Sequence, residues 1–185
     1  MKRIIAAVCL LVLLAGCSGK HEEMDRAMAL RSKLLAQGAA FDAEITADYG
    51  DEVYTFSMAC QLDAQGKLSF SVTAPESIRG VGGEISAAGG ALTFDGEALS
   101  FPLLADGQVT PVSAPWVLMH TLRSGYLTSC GREGDTLRIA IDDSYEDDAL
   151  QLDIWLNGQD QPIRAEILYD GRRIVSMDIA NFEVL

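Results

Sequence analysis

The sequence predicts an α+β domain that is mostly β: a curved antiparallel half-barrel wrapped around one N-terminal helix and one inserted helix. Three observations predict it. From Ala40 onward apolar and polar residues alternate along most of the chain, which is typical of antiparallel strands with one buried face. Residues 24–36 carry apolar side chains three and four positions apart, and residues 114–124 are apolar on nearly every side. A curved sheet with one apolar face needs cover, which two helices supply.

The first segment of the chain has the pattern of an export signal. Lys2 and Arg3 precede an apolar run from Ile4 to Leu14, which is shorter than the roughly 20 residues that a membrane-spanning helix needs. The run closes with Leu-Ala-Gly-Cys at residues 14–17, which resembles the lipobox of bacterial lipoproteins. The resemblance implies a diacylglyceryl group on Cys17 and an extracytoplasmic protein anchored to the cell membrane, or to the outer membrane of a Gram-negative cell. The alternative is an ordinary signal with an incidental cysteine.

We therefore expect a signal peptide at residues 1–16, a lipidated cysteine and polar tether at residues 17–23, and a single domain at residues 24–185. The chain has 14 basic and 27 acidic residues, and the signal would remove two of the basic ones. Such an acidic surface repels phosphates, so we expect no nucleic-acid partner.

The N-terminal helix is predicted to end at Gly38, and a first strand follows with Phe41 to Tyr49 in alternation. The further strands are predicted from their inner-face positions: 54–62, 68–72, 83–87, 91–94, 98–101, 137–141, 150–156, 163–169 and 175–179. Ile163 is expected on the inner face, and Asp170-Gly171 predicts a hairpin turn.

The inserted helix interrupts the alternation of apolar and polar residues. Ser113 is its expected N-cap, Pro115 lies in the expected first turn and Gly125 ends it. Because apolar residues surround it, we expect it to be buried on more than one side.

Cys60 and Cys130 are the cysteines that remain after the signal and Cys17. Outside the cytoplasm such a pair invites a disulfide, but both lie on apolar strand faces where a free cysteine packs as a small hydrophobe. Both alternatives stay open, because sequence spacing does not give the distance between the two residues.

The element order and two short patterns resemble the LolA/LolB family of outer-membrane lipoprotein carriers. The patterns are Pro75-Ile78-Gly80 and Leu92-Phe94-Gly96. In that family an incomplete eleven-stranded barrel wraps helices over an apolar cavity that receives acyl chains. The resemblance implies ligand contacts around the inserted helix and the loop before it: Phe101, Leu103, Leu104, Trp116, Met119 and Leu122. The alternative is that these side chains fill a core without a cavity.

Catalytic and metal-binding patterns are missing from the sequence. It has no nucleophile elbow, zinc-protease helix, phosphate loop or Cys-x-x-Cys pair. The acidic run at residues 142–149 lacks EF-hand spacing and is interpreted as a solvated loop, and the glycines at residues 80–90 are interpreted as turn and strand-bend positions. His120 is expected to be a partly buried structural residue. We therefore expect no enzyme activity, cofactor or metal, although a hydrolase site around His120 is the third alternative.

Two functional hypotheses follow. The first is an envelope lipoprotein that binds a lipid acyl chain in its half-barrel, as a carrier or sensor. The second is a filled half-barrel that acts as an interaction scaffold or regulatory partner of an envelope or cell-wall enzyme. The expected oligomeric state is a monomer or a strand-exchanged dimer, since an open half-barrel leaves unpaired strand edges.

Overall fold

The structure is a computed structural model that describes residues 19–105, 108–146 and 149–185. The predicted signal peptide and Cys17 lie outside these residues. In the described ranges no helix is long and apolar enough to span a membrane.

The described residues form two helices and thirteen strands. The helices are α1 (Gly19–Ala36) and α2 (Ala114–Ser124), and single 3₁₀ turns lie at Glu76–Ile78 and Pro111–Ser113. The N-terminal strands are β1 (Ala39–Asp48), β2 (Val53–Leu62), β3 (Leu68–Ala74), β4 (Gly82–Ser86), β5 (Gly89–Phe94) and β6 (Glu97–Phe101). The remaining strands are β7 (Leu104–Ala105), β8 (Gln108–Val109), β9 (Tyr126–Glu133), β10 (Thr136–Asp142), β11 (Gln151–Leu156), β12 (Pro162–Tyr169) and β13 (Arg172–Val184).

Eleven of these strands form one open, curved antiparallel sheet in the order β6-β5-β4-β3-β2-β1-β13-β12-β11-β10-β9. The chain winds outward from β1 to the edge strand β6. It then crosses through the β7–β8 hairpin and α2 to the opposite edge at β9, and winds back to β13, which pairs with β1. The predicted fold class is confirmed: a mostly β, curved antiparallel sheet with two helices.

The core lies between the inner face of this sheet and the two helices. On β1 the inner positions Phe41, Ala43, Ile45 and Ala47 are all buried, while their neighbours in sequence are more exposed. Helix α2 packs against β10 and β12, and α1 packs against α2 and β9. As expected, α2 is buried on several sides, and eight of its eleven residues are buried.

Side chains of α1 and α2 tie the helices to each other and to the sheet. Arg31 on α1 donates from Nε to the carbonyl oxygen of Leu122 at 2.7 Å and from Nη2 to that of Gly125 at 2.8 Å. These carbonyls lie at the C-terminal end of α2, where no helical partner is available and a positive charge is favoured. Arg31 therefore caps α2 from a neighbouring helix.

Several predicted details differ from the structure. Helix α1 begins at Gly19, so residues 19–23 of the expected tether are helical. Glu22 lies in the first turn, where a negative charge is favourable, and Glu23 lies 3.5 Å from Arg132. Ile163 is exposed instead of lying on the inner face, because the register shifts where Leu156 pairs with Pro162, and the extra residue turns Pro162 inward. The β7–β8 hairpin and most of β9 were not predicted.

Gly38 has a role that helix termination alone does not explain. A Cβ atom at this position would lie 2.2 Å from the carbonyl oxygen of Leu62. The carbonyl of Gly38 also accepts the backbone N–H of Leu185 at 3.0 Å. Gly38 therefore allows the α1–β1 connection to pass directly against the end of β2.

The thiols of Cys60 and Cys130 are free in the structure. Cys60 is buried on β2, and burial, with a smaller effect of the Asp42 carboxylate, raises the pKa of its thiol to about 12. Cys130 is half-buried on the edge strand β9, and burial also raises its pKa. Both thiols are therefore protonated and weakly nucleophilic at neutral pH.

Replacing Gly38 with alanine should destabilise the protein by about 1–3 kcal/mol, because the new methyl group overlaps a backbone oxygen that cannot move freely. Gly131→Ala is the matched control, since no atom lies within 4 Å of the added carbon; it should change the stability by less than about 0.5 kcal/mol. Urea unfolding measures both. Equal stabilities for the two variants would contradict the close approach.

Iodoacetamide should alkylate Cys130 in the native protein before it alkylates Cys60, because Cys60 is buried and its thiol stays protonated. In denaturant without reductant, both cysteines should be alkylated to completion. Peptide mass spectrometry measures both reactions. Recovery of a Cys60–Cys130 disulfide peptide would contradict the free thiols.

Candidate functional site

The two helices cover only one end of the inner face. Trp116 on α2 donates from Nε1 to the carbonyl oxygen of Gly66 at 2.9 Å, and Arg123 donates to that of Ala64 at 2.6 Å. Both acceptors lie in the turn between β2 and β3, so α2 is fixed at this end of the sheet. Tyr54 and Phe56 lie at the opposite end of β2. The inner face at that second end, called the open end here, is where the sheet lacks helical cover.

A cavity of about 600 Å³ occupies the open end. We call it the apolar groove, and its walls are formed by Tyr49, Glu52, Tyr54, Phe56, Val72, Ile78, Val81, Leu92, Pro111 and Val112. Glu52 is the one charged side chain among these lining residues. The volume and the predominantly apolar walls are typical of sites that bind small apolar ligands.

The β3–β4 connection folds back to build one wall of the groove. The 3₁₀ turn closes with the backbone N–H of Ile78 on the carbonyl of Pro75 at 3.2 Å. The N–H of Val81 then bonds to the carbonyl of Ile78 at 3.2 Å, and the N–H of Val72 to that of Val81 at 2.7 Å. These bonds fix Ile78 and Val81 beside the inner face of β3.

The opposite wall comes from the segment between β6 and α2, which passes from one edge of the sheet to the other and is called the crossing segment here. Tyr49 at the end of β1 donates its hydroxyl proton to the carbonyl of Val109 on β8. Ser113 Oγ lies 2.8 Å from the carbonyl of Leu103, and the N–H of Thr110 bonds to the same carbonyl at 3.1 Å. Pro111 and Val112 lie inside this hydrogen-bonded segment, which holds them against the groove. Ser113 thus anchors the segment and does not cap α2 through its side chain.

A second cavity of about 490 Å³ extends the site towards the edge strand β6. We call it the side groove, and it is lined by Val81, Leu92, Phe94, Asp95, Glu97, Ala98 and Leu99. It shares Val81 and Leu92 with the apolar groove, so the two cavities are neighbours.

Gly83 lies on the inner face between two of the groove strands, where its neighbours leave no room for a side chain. The register pairs Gly83 with Phe70 on one side and Leu92 on the other. Paired residues share a face, so these three positions all face inward. A Cβ atom on Gly83 would lie 2.1 Å from the carbonyl oxygen of Ala91 and 2.9 Å from the Phe70 ring. Gly83 therefore lies within a strand and not at a turn, and its close contacts explain why a glycine occupies this position.

Apolar side chains in both grooves are accessible to water. Tyr54 is 46% exposed, Ile78 39%, Phe94 55% and Leu99 66%. Contiguous apolar surface of this kind is unfavourable in water and typically marks a ligand or partner site. The exposed side chains, more than the cavity volume, distinguish the open end from an ordinary surface depression.

The polar groups at the groove mouth are two tyrosines and one glutamate. Tyr54 donates its hydroxyl proton to Glu52, and this hydrogen bond, together with the Glu52 charge and a small effect of burial, raises the pKa of Tyr54. Burial and the neighbouring Tyr54 raise the pKa of Tyr49. Both tyrosines therefore keep their protons at neutral pH, and their rings lie 6.4 Å apart.

The residues that the resemblance implied as ligand contacts lie elsewhere. Trp116, Met119 and Leu122 are buried in the core and do not line either groove. Leu103 is half-buried against the core, and Phe101 lines a different cavity beside Gly90. The side chain of Leu104 lies outside the described part of the structure. A ligand-contact role for these residues stays a prediction.

The sequence patterns include some of the residues that line the grooves. Ile78, Leu92 and Phe94 belong to the two patterns on which the family resemblance rests. Tyr49, Tyr54 and Val112 carried no comparable signal. They become neighbours only when the crossing segment passes the open end, which the local pattern does not predict.

His120 is exposed on α2 and not partly buried as expected, and its contacts among the described residues do not form the chain of hydrogen bonds that a nucleophilic site needs. Its ring is stacked on Trp116 with centroids 4.6 Å apart, and burial and the Arg123 charge lower its pKa in spite of an opposing effect of Asp143. Ser124 Oγ is 3.4 Å from the imidazole and donates to the His120 carbonyl at 2.8 Å. The hydroxyl proton is thus directed away from the ring that would have to accept it. Among the described residues no cluster of three potential metal ligands occurs.

No protein-family model and no curated protein sequence matches this chain. Solved structures match over most of its length. An uncharacterized conserved protein from Thermus thermophilus has a TM-score of 0.48 and 13% identity, with 89% of this chain and 86% of that chain covered. A LolA superfamily protein from Nitrosomonas europaea has a TM-score of 0.44 and 8% identity, with 86% and 93% covered.

The Mycobacterium tuberculosis lipoprotein LppX has a TM-score of 0.42 and 13% identity, with 87% of this chain and 93% of that chain covered. These low scores describe a similarity of fold and assign neither ligand nor activity. The eleven-stranded open sheet and its two helices are the architecture that the sequence resemblance implied.

Proposed function

We propose that this protein is a non-enzymatic envelope lipoprotein that holds the apolar chain of a lipid in the apolar groove. The observation that carries the proposal is the open end itself: a cavity of about 600 Å³ whose apolar side chains are accessible to water. Water contact at these side chains is relieved when an apolar ligand covers them.

The energetics of burial are sufficient for such binding. Each methylene group removed from water contributes about 0.8 kcal/mol, so burying ten of them contributes about 8 kcal/mol before the cost of ordering the ligand. A groove whose walls are fixed by backbone hydrogen bonds keeps that cost low, because little of the protein has to become ordered on binding. A medium-length acyl chain is therefore a suitable occupant.

In this proposal the lipobox places the protein at a membrane surface. Cys17 precedes the first residue of α1, Gly19, by two positions, so an acylated Cys17 joins the membrane to the domain without a long tether. Acyl chains on this residue would hold the domain at the membrane surface. A lipid-binding groove then operates beside the membrane that contains its ligands.

A protein-interaction scaffold is the second candidate. Strand β6 is an edge strand with unpaired backbone groups on one side, and Leu99 on it is 66% exposed. Such an edge accepts an added strand from a partner or from a second copy. In this case the occupant of the open end is a protein segment of an envelope enzyme or its regulator.

Photo-crosslinking in living cells distinguishes the two candidates with the full chain. A benzophenone amino acid replaces Ile78 in the groove, and the same residue replaces Ile163 on β12 as the control. These isoleucines are matched in exposure, at 39% and 36%. A lipid adduct at position 78 that is missing at position 163 supports the proposal. A protein adduct confined to position 78 supports the scaffold instead.

Ile78→Glu should reduce the yield of the lipid adduct by about tenfold, because a carboxylate inside the groove must lose water without gaining a partner. For this measurement the benzophenone is moved to Val112, on the opposite wall. Ile163→Glu should leave the yield unchanged. Since both isoleucines are partly exposed, each substitution should change the stability by about 0.5 kcal/mol or less. Equal adduct yields in the two variants would contradict a ligand in the groove.

A further inference from the structure

Among the described residues, the charged side chains that line the two grooves all have the same sign. The apolar groove contains Glu52, and the side groove contains Asp95 and Glu97. The described lining residues of these two cavities include no lysine and no arginine. A ligand whose apolar chain enters here therefore brings its headgroup next to carboxylates.

Two of the described basic residues beside the open end, Arg79 and Arg172, are already paired. Arg79, which follows Ile78, lies 2.9 Å from Glu76. Arg172 lies 3.3 Å from Asp48 at the end of β1. Each cation thus has a carboxylate neighbour of its own, and neither lines a groove. An anionic headgroup would have to compete with these partners.

The hydroxyl groups at the mouth also favour a ligand that donates hydrogen bonds. Tyr54 donates its hydroxyl proton to Glu52, and Tyr49 donates its hydroxyl proton to the Val109 carbonyl. A hydroxyl whose proton is engaged still has lone pairs to accept a hydrogen bond. The second oxygen of Glu52 is likewise an acceptor. The mouth therefore presents acceptors to a ligand and lacks free donors on these three side chains.

We propose that the ligand of the apolar groove is an amphiphile with a primary ammonium headgroup, which Glu52 and the two tyrosine oxygens recognise while the apolar chain lies along Ile78, Val81 and Leu92. This inference rests on the proposed function and specifies its ligand class. An ammonium group has three donors and a positive charge, matching these acceptors. A carboxylate or phosphate headgroup has the wrong charge and lacks donors when ionised.

The full chain in phosphatidylcholine nanodiscs provides the test. Two photoreactive probes with the same diazirine-bearing dodecyl chain are compared, one ending in an amine and one in a carboxylate. Labelling of groove peptides is measured by mass spectrometry over a range of probe concentrations. Glu52→Gln removes the charge and keeps the shape of the side chain. Glu44→Gln is the control, because Glu44 is an exposed carboxylate on the outer face of β1.

The ratio of amine to carboxylate labelling should be about fivefold higher in the unmodified protein than in Glu52→Gln, as expected for one solvent-accessible ion pair. Glu44→Gln should keep the higher ratio. Comparing ratios between variants cancels the different partitioning of the two probes into the nanodisc. Groove labelling by both probes with a ratio that Glu52→Gln leaves unchanged would overturn the ammonium preference and leave the lipid-binding function standing. Absence of groove labelling by either probe would overturn both.

Discussion

The inner face of the eleven-stranded sheet carries more apolar surface than two helices cover. The rest of the structure depends on which part of this surface the helices bury and which part they leave open. Helix α2 is fixed at one end through Trp116, Arg123 and the Arg31 cap. There the core is closed, with Leu118 and Met119 fully buried. At the other end the crossing segment and the β3–β4 connection approach the sheet, and side chains such as Ile78 remain in contact with water.

The groove is thus a consequence of topology as well as of residue type. The chain has to travel from β6 at one edge to β9 at the other, and a short segment around Pro111 and Val112 crosses the inner face on the way. The hydrogen bond from Tyr49 joins it to the end of β1, and Ser113 fixes its conformation by bonding to Leu103 within the same segment. This arrangement keeps apolar walls in place before a ligand arrives, which is the condition for binding an apolar chain at low ordering cost.

The sequence predicted the architecture well because both kinds of element have strong periodic signals. The alternation on β1 and the apolar surface of α2 each require a buried partner, and the structure provides it. Local pattern was insufficient where the backbone departs from its period. Ile163 turned outward because of one register shift, and α1 extends to Gly19 although its first residues are polar.

The site was predicted less completely than the fold. The resemblance drew attention to Trp116, Met119 and Leu122, which are core residues of the covered end. The open end depends on contacts between β1, the β3–β4 connection and the crossing segment, which are distant in sequence. Ile78 and Leu92 were within the patterns noted in the sequence, yet their common cavity appears only when the chain is folded.

A crystal structure of the protein purified from its own membrane, without added lipid, would test the central claim most directly. The account predicts elongated electron density along Ile78, Val81 and Leu92, continuous with a headgroup beside Glu52. A groove that contains only solvent, or that is closed by the crossing segment packing onto Leu92, would contradict it.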